Sequence, residues 1–185
     1  RGNIGLAHAY STPPTMALDI DDMPRAQAWL ADRGIDLDLL LDADDAVQIV
    51  SGKPGSAKLI YRLPPGVAPI PLKQITNPAT GGMVLEFRCA SANGRTVQDV
   101  LPPSIHPDTQ KPYEWAGSGK WQELPVLPEP ILTAWKDLLG PTATRPTNSG
   151  GGEAVNRVAI ITLPPETIQH LRSALLHMRA DDHAL

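Results

Sequence analysis

Apolar residues recur at every second position in several short runs of this chain and at helical spacing in only a few. Met16-Ala17-Leu18-Asp19-Ile20-Asp21 alternates as a strand with its acids on one face. Val47–Val50 and Leu59–Arg62 read as two strands around the turn Ser51-Gly52-Lys53-Pro54-Gly55. Met83–Arg88 and Thr96–Leu101 read as two more, with Ser91-Ala92-Asn93-Gly94 between them as a hairpin signal. Asn3–Ala7 opens the chain as a strand, and a short one is expected around Leu72–Ile75 within a proline-rich loop from Leu63 to Gly82. Asp22 is placed to cap a short helix with Pro24 in its first turn and Gly34 beyond its end. Leu37–Ala46 is a second, weakly patterned helical stretch. Pro128–Leu139 is amphipathic, with Ile131, Trp135 and Leu139 on one side and Gly140 after it.

Beyond that helix the pattern changes. Residues 141–157, with Gly150-Gly151-Gly152, have the composition of a flexible linker. Val158–Ile161 then suggests a strand, and Glu166–Arg179 a helix with Ile168, Leu171, Leu175 and Met178 on one face. The expected organisation is a core over residues 1–140, a linker over 141–157 and a C-terminal segment over 158–185. The strand-rich core with few helices points to an α+β fold with a mixed or antiparallel sheet.

Composition adds three constraints. The 20 prolines are about twice the usual share, so loops stiffened by proline outweigh long helices. A single cysteine, Cys89, excludes a disulfide framework or a Cys-rich zinc site and suits a cytoplasmic setting. No apolar run reaches the length of a membrane span, so no membrane partner is expected. The formal net charge of −4 argues against a broad basic surface. It hides a gradient, because residues 1–50 carry 3 basic and 9 acidic groups and residues 51–120 carry 8 and 4. An acidic stretch followed by a basic one suits a site that holds divalent cations on one side and phosphates on the other.

The candidate chemistry follows that gradient. Asp19 and Asp21, two apart on a strand, leave the sheet on the same side. With a third acid, such a pair can hold two Mg²⁺ or Mn²⁺ ions about 3.5–4 Å apart, as in polymerases and nucleases. Asp also gathers at strand ends and caps, which explains Asp22 better. Glu86 lies inside an apolar strand, where a carboxylate needs a metal or a partner; Arg88 on the same face offers a plain salt bridge instead. Ser56-Ala57-Lys58 follows a glycine-bearing turn whose amides, with Lys58 and Arg62, can grip a triphosphate, although local sequence by itself favours a solvated basic hairpin. In Leu101-Pro102-Pro103-Ser104-Ile105-His106-Pro107 the prolines fix a loop carrying Ser104 and His106, which fits contact with nucleotide or template. Tyr113, Trp115 and Trp121 can stack on bases or cover a small core.

Taken in order, these segments resemble the bifunctional primase-polymerase domain of the archaeo-eukaryotic primase superfamily, found in phage and plasmid replication proteins. The resemblance runs from Asn3-Ile4-Gly5-Leu6 through Leu18-Asp19-Ile20-Asp21, Ser56-Ala57-Lys58-Leu59-Ile60-Tyr61-Arg62 and Leu85-Glu86-Phe87-Arg88. It continues through Leu101–Pro107 to Tyr113-Glu114-Trp115 and covers roughly residues 3–139. It implies an RNA-recognition-motif-like core, two catalytic Mg²⁺ or Mn²⁺ ions on Asp19, Asp21 and Glu86, and nucleotide contacts from Lys58, Arg62, Arg88, Ser104 and His106. Lys58 stands where the family usually has His.

The implied activity is template-directed nucleotidyl transfer, priming or extension, with a DNA template and primer and nucleoside triphosphates as partners. A non-catalytic nucleotide- or DNA-binding module and a metal-dependent nuclease are the alternatives. The resemblance also implies several dozen further residues before the Asn3 strand. Leu171–Leu176 with Ala180-Asp181-Asp182 is similar to the opening of a primase C-terminal helical domain. Together these point to a longer replication protein and admit a helicase part downstream.

Overall fold

The computed structural model describes residues 3–140. The expected linker over 141–157 and the strand and helix over 158–185 lie outside the described residues. In chain order the strands are β1 (Ile4–Ala7), β2 (Thr15–Ile20), β3 (Gln48–Val50), β4 (Ala57–Arg62), β5 (Lys73–Thr76), β6 (Met83–Arg88), β7 (Gln98–Leu101) and β8 (Glu114–Ala116). The helices are α1 (Met23–Ala31), α2 (Leu37–Leu41) and α3 (Glu129–Leu139), with a single 3-10 turn at His8–Tyr10. The fold is α+β, as the sequence pattern predicts.

Six strands form one antiparallel sheet in the order β5-β6-β2-β4-β3-β8. Alternation decides what each face carries. Met16, Leu18 and Ile20 of β2, Leu59 and Tyr61 of β4, and Leu85 and Phe87 of β6 all enter the main core. α1 and α3 cover that face with Ala26, Leu30, Ile131, Leu132, Ala134 and Trp135. Phe87 lies between two tryptophans, edge-on to Trp29 at 5.9 Å and stacked on Trp135 at 5.7 Å. The Trp135 indole N–H is satisfied by the Pro71 carbonyl at 2.9 Å. Cys89 is buried in the same core, as expected for a small apolar side chain.

The predicted caps form. The Asp22 carboxylate accepts from the Arg25 amide at 3.2 Å, Pro24 occupies the first turn of α1, and Gly34, at φ 71°, follows the helix end. α2 is shorter than the predicted Leu37–Ala46. Asp36 caps it through the amides of Asp38 and Leu39, and it stops at Asp42, where a run of aspartates favours turns over helix.

The second layer departs from the expected hairpin. Ser91 and Arg95 close the predicted turn at 2.7 Å, and Ala90 and Thr96 make one bridge. β6 already pairs with β5 on one side and β2 on the other, so it has no free edge for β7. β7 instead pairs antiparallel with β1, from Ile4 opposite Leu101 to Ala7 opposite Gln98. Leu6 and Leu101 of this two-stranded sheet pack on a smaller core of Ala17, Val47, Ile49 and Ile60, on the sheet face opposite the helices. β8, absent from the sequence expectation, holds the far edge. Beyond it the backbone passes so close to Ala46 at Gly117 that an added Cβ would lie 2.2 Å from the Ala46 carbonyl oxygen.

Candidate active site

Asp19 projects from β2 on the face away from the helices. Strand register then fixes its neighbours, for Lys58 of β4 lies directly opposite on one side and Glu86 of β6 on the other. Facing residues in adjacent antiparallel strands have Cβ atoms about 4.5–5.5 Å apart. Gln74 of β5 continues the row beyond Glu86, and Ile49 of β3 continues it beyond Lys58. Arg88 occupies the next rung on the same face, opposite Ala17. Asp21, just past the end of β2, is held by its amide to the Val84 carbonyl at 3.0 Å.

Two acids side by side in a sheet repel unless cations intervene. The Lys58 ammonium lies 3.1 Å from Asp19 and 2.5 Å from Asp99 of β7. Arg88 reaches Glu86 at 2.7 Å and Asp99 at 3.0 Å, and also donates to the Gln98 carbonyl. Gln74 donates to the other oxygen of Glu86. Asp21 pairs with the more exposed Lys53 at 2.9 Å. Four carboxylates thus face three cations.

Burial and these contacts set the charge states. Burial raises the Asp19 carboxyl above its usual value; Lys58 draws it back and the charge of Asp99 adds to the rise. Burial would also raise Asp99, but the His8 hydrogen bond together with Lys58 and Arg88 holds it well below the usual carboxylate range. Burial works against the charged forms of Lys58 and Arg88, yet the acids around them raise both. Because Asp99 titrates lower in the folded chain than in the unfolded one, its stabilisation is present in full above about pH 4. It is lost as the pH falls towards the folded value.

Asp19, Asp21, Lys53, Ser56, Lys58, His106 and Tyr113 line one small open cleft of about 120 Å³. The His106 Nδ1 accepts from the amides of Asp108 and Thr109, each at 3.2 Å, which leaves Nε2 to carry the proton of a neutral ring. Tyr113 lies beside it, with ring centres 5.3 Å apart. Trp115 covers the smaller core and stacks on Trp121 at 5.8 Å, and Trp121 stays half exposed.

The structure does not bring every expected residue to this cleft. Ser104 is buried; its hydroxyl accepts from the Ile4 amide at 2.9 Å and donates to the Ile4 carbonyl at 3.3 Å. It fastens the proline loop to β1. Arg62 sits four residues along β4 from Lys58, about 13 Å away, and binds the Leu124 carbonyl at 3.1 Å.

Two residues that the sequence reading passed over belong to the network. Asp99, almost fully buried, accepts from the His8 ring nitrogen Nε2 at 2.7 Å, and His8 Nδ1 meets Thr15 Oγ1 at 2.9 Å. An acid within the predicted strand Thr96–Leu101 is the same signal that singled out Glu86.

Hard oxygen donors suit Mg²⁺ or Mn²⁺, and Asp19, Asp21 and Glu86 supply them from one face, so the donor set fits such ions. Among the described residues no three acids, histidines or cysteines are gathered as they stand around one point. Each of these acids is turned to a cationic side chain. No helix among the described residues is long and apolar enough to cross a membrane.

Comparison with known proteins adds one finding. The family model for the N-terminal domain of bifunctional DNA primase/polymerase matches residues 1–130. No curated protein and no solved structure matches the chain.

Proposed function

Because the chain belongs to the family of bifunctional DNA primase/polymerase N-terminal domains, we propose that its sheet face bearing Asp19, Lys58 and Glu86 is a centre for template-directed nucleotidyl transfer. Family membership carries the general activity, DNA priming and polymerisation with DNA and nucleotides as partners. The assignment of residues rests on one observation, the register that sets Lys58 and Glu86 opposite Asp19 on the two flanking strands.

In this reading Asp19, Asp21 and Glu86 would hold two divalent cations, Mg²⁺ or Mn²⁺. When bound, such ions supply Lewis acidity and charge neutralisation at the reacting phosphate. The chain's own part is electrostatic and positional, as phosphoryl transfer requires. Lys58 and Lys53 line the acidic cleft and Arg88 stands beside it, so positive charge is placed for a triphosphate. Lys58 keeps the charge that a neutral imidazole would lack, on a stem fixed between two acids. His106 presents the N–H of Nε2 as a hydrogen-bond donor. Ser104 and Arg62 act at a distance from the cleft, through loop and strand-end contacts. The likeness in motif order supports a phage- or plasmid-type replication protein that works in the cytoplasm.

Incubating the chain with single-stranded DNA, ribo- and deoxyribonucleoside triphosphates and Mn²⁺ is expected to release pyrophosphate only when template is present. Nucleotide binding without pyrophosphate release contradicts the proposal and favours a binding module. Cleavage of labelled DNA with no nucleotide added contradicts it in favour of a nuclease.

A further inference from the structure

We infer that Asp99 is a positioning residue, a buried carboxylate that draws the Lys58 ammonium and the Arg88 Nε from Asp19 and so keeps that acid available to divalent cations. The inference rests on the proposed function, because it takes Asp19 as a cation-holding acid.

Distances carry the argument. Lys58 lies directly opposite Asp19 in the sheet, yet its ammonium is nearer to Asp99, at 2.5 Å against 3.1 Å. The Arg88 Nε is 3.0 Å from Asp99 and 3.9 Å from Asp19. Without the Asp99 charge, Lys58 has one anionic partner left, Asp19, and the Arg88 Nε, whose guanidinium already holds Glu86 at 2.7 Å, has Asp19 to turn to. Both cations then compete with a metal ion for the same oxygens. At short range in a partly buried site such competition is strong, because little water screens it.

Asp99 is itself held in place. It is 3% exposed and belongs to the separate two-stranded sheet. His8, fully buried and just after β1, donates to its Oδ2 at 2.7 Å, and Thr15 meets the far side of that ring. The acid therefore cannot follow the cations forward. The second sheet acts as a fixed anchor, pulling charge back from the catalytic row.

Mn²⁺ bound to the protein, measured by electron paramagnetic resonance without nucleotide or template, tests this apart from turnover. Relative to the unaltered chain, Asp99→Asn is expected to weaken Mn²⁺ binding by about tenfold, or roughly 1.4 kcal/mol. Lys58→Met removes the nearer competitor and is expected to tighten it. A purely structural Asp99 predicts unchanged Mn²⁺ affinity in the folded Asp99→Asn protein.

Unchanged Mn²⁺ affinity in a folded Asp99→Asn protein overturns the inference, as does weaker binding in Lys58→Met or no binding by the unaltered chain. If Asp99→Asn does not fold, His8→Gln, which frees one Asp99 oxygen, is expected to weaken binding about threefold, and unchanged affinity there overturns the inference. Failure of template-dependent synthesis with these Mn²⁺ shifts intact would count against the proposed function and not against the positioning role.

Discussion

Replacing Asp19 and Asp21 together by Asn is expected to abolish nucleotidyl transfer, with a loss on the order of 10³-fold or more, because it removes two of the three proposed cation-holding acids. The fold is expected to survive. Asn matches Asp in size, and both side chains are partly open to the cleft rather than packed in the main core. The half-exposed Lys53–Asp21 pair contributes little to stability. Lys58 keeps Asp99 as a partner when Asp19 loses its charge. Primer extension on a defined template, run beside thermal unfolding, separates the two effects. Synthesis within tenfold of the unaltered protein would rule out these acids as the catalytic ones.

The second large effect lies on the other face of the same strand. Phe87→Ala is expected to cost about 3–5 kcal/mol, the usual penalty for removing a buried aromatic ring. Phe87 is fully buried between Trp29 and Trp135, and both tryptophans lose a ring partner with it. Its sequence neighbours Glu86 and Arg88 point the opposite way, so the core ring fixes the height of the row that carries Asp19, Lys58 and Glu86. Equilibrium urea unfolding reads the change as a lower midpoint at unchanged slope. A shift below about 1 kcal/mol would mean that α1 and α3 do not clamp the sheet as described.

The division between what was legible in the chain and what was not follows from the range of the interactions. β2 and β6 are readable because alternation over six residues is a local signal that sets the acids on one face and the core residues on the other. The α1 cap is readable for the same reason, since Asp22, Pro24 and Arg25 act within one turn. Strand order is not local. That β6 is closed on both edges, and that β7 therefore joins β1 nearly a hundred residues away, depends on the whole sheet. The hairpin signal at Asn93-Gly94 gave the turn and missed the pairing.

The site divides in the same way. Asp19, Asp21 and Glu86 stand out as acids in apolar strands, and the structure brings Asp19 and Glu86 side by side. Asp99 and His8 acquire their meaning only when the second sheet brings them together. Ser104 illustrates the converse. A polar residue in a proline-fixed loop reads as a contact group, yet the fold turns its hydroxyl inward to Ile4. Arg62 shares a strand with Lys58 but lies a full strand-end away from the acids.

The central claim is that one sheet face gathers the acids and the nucleotide. A crystal of the protein soaked with Mn²⁺ and a nucleoside triphosphate tests it directly through the anomalous signal of the metal. The account predicts Mn²⁺ between Asp19, Asp21 and Glu86, with the triphosphate running towards Lys58 and Lys53. Metal and nucleotide bound elsewhere, with Glu86 still closed on Arg88 and Gln74, would contradict it.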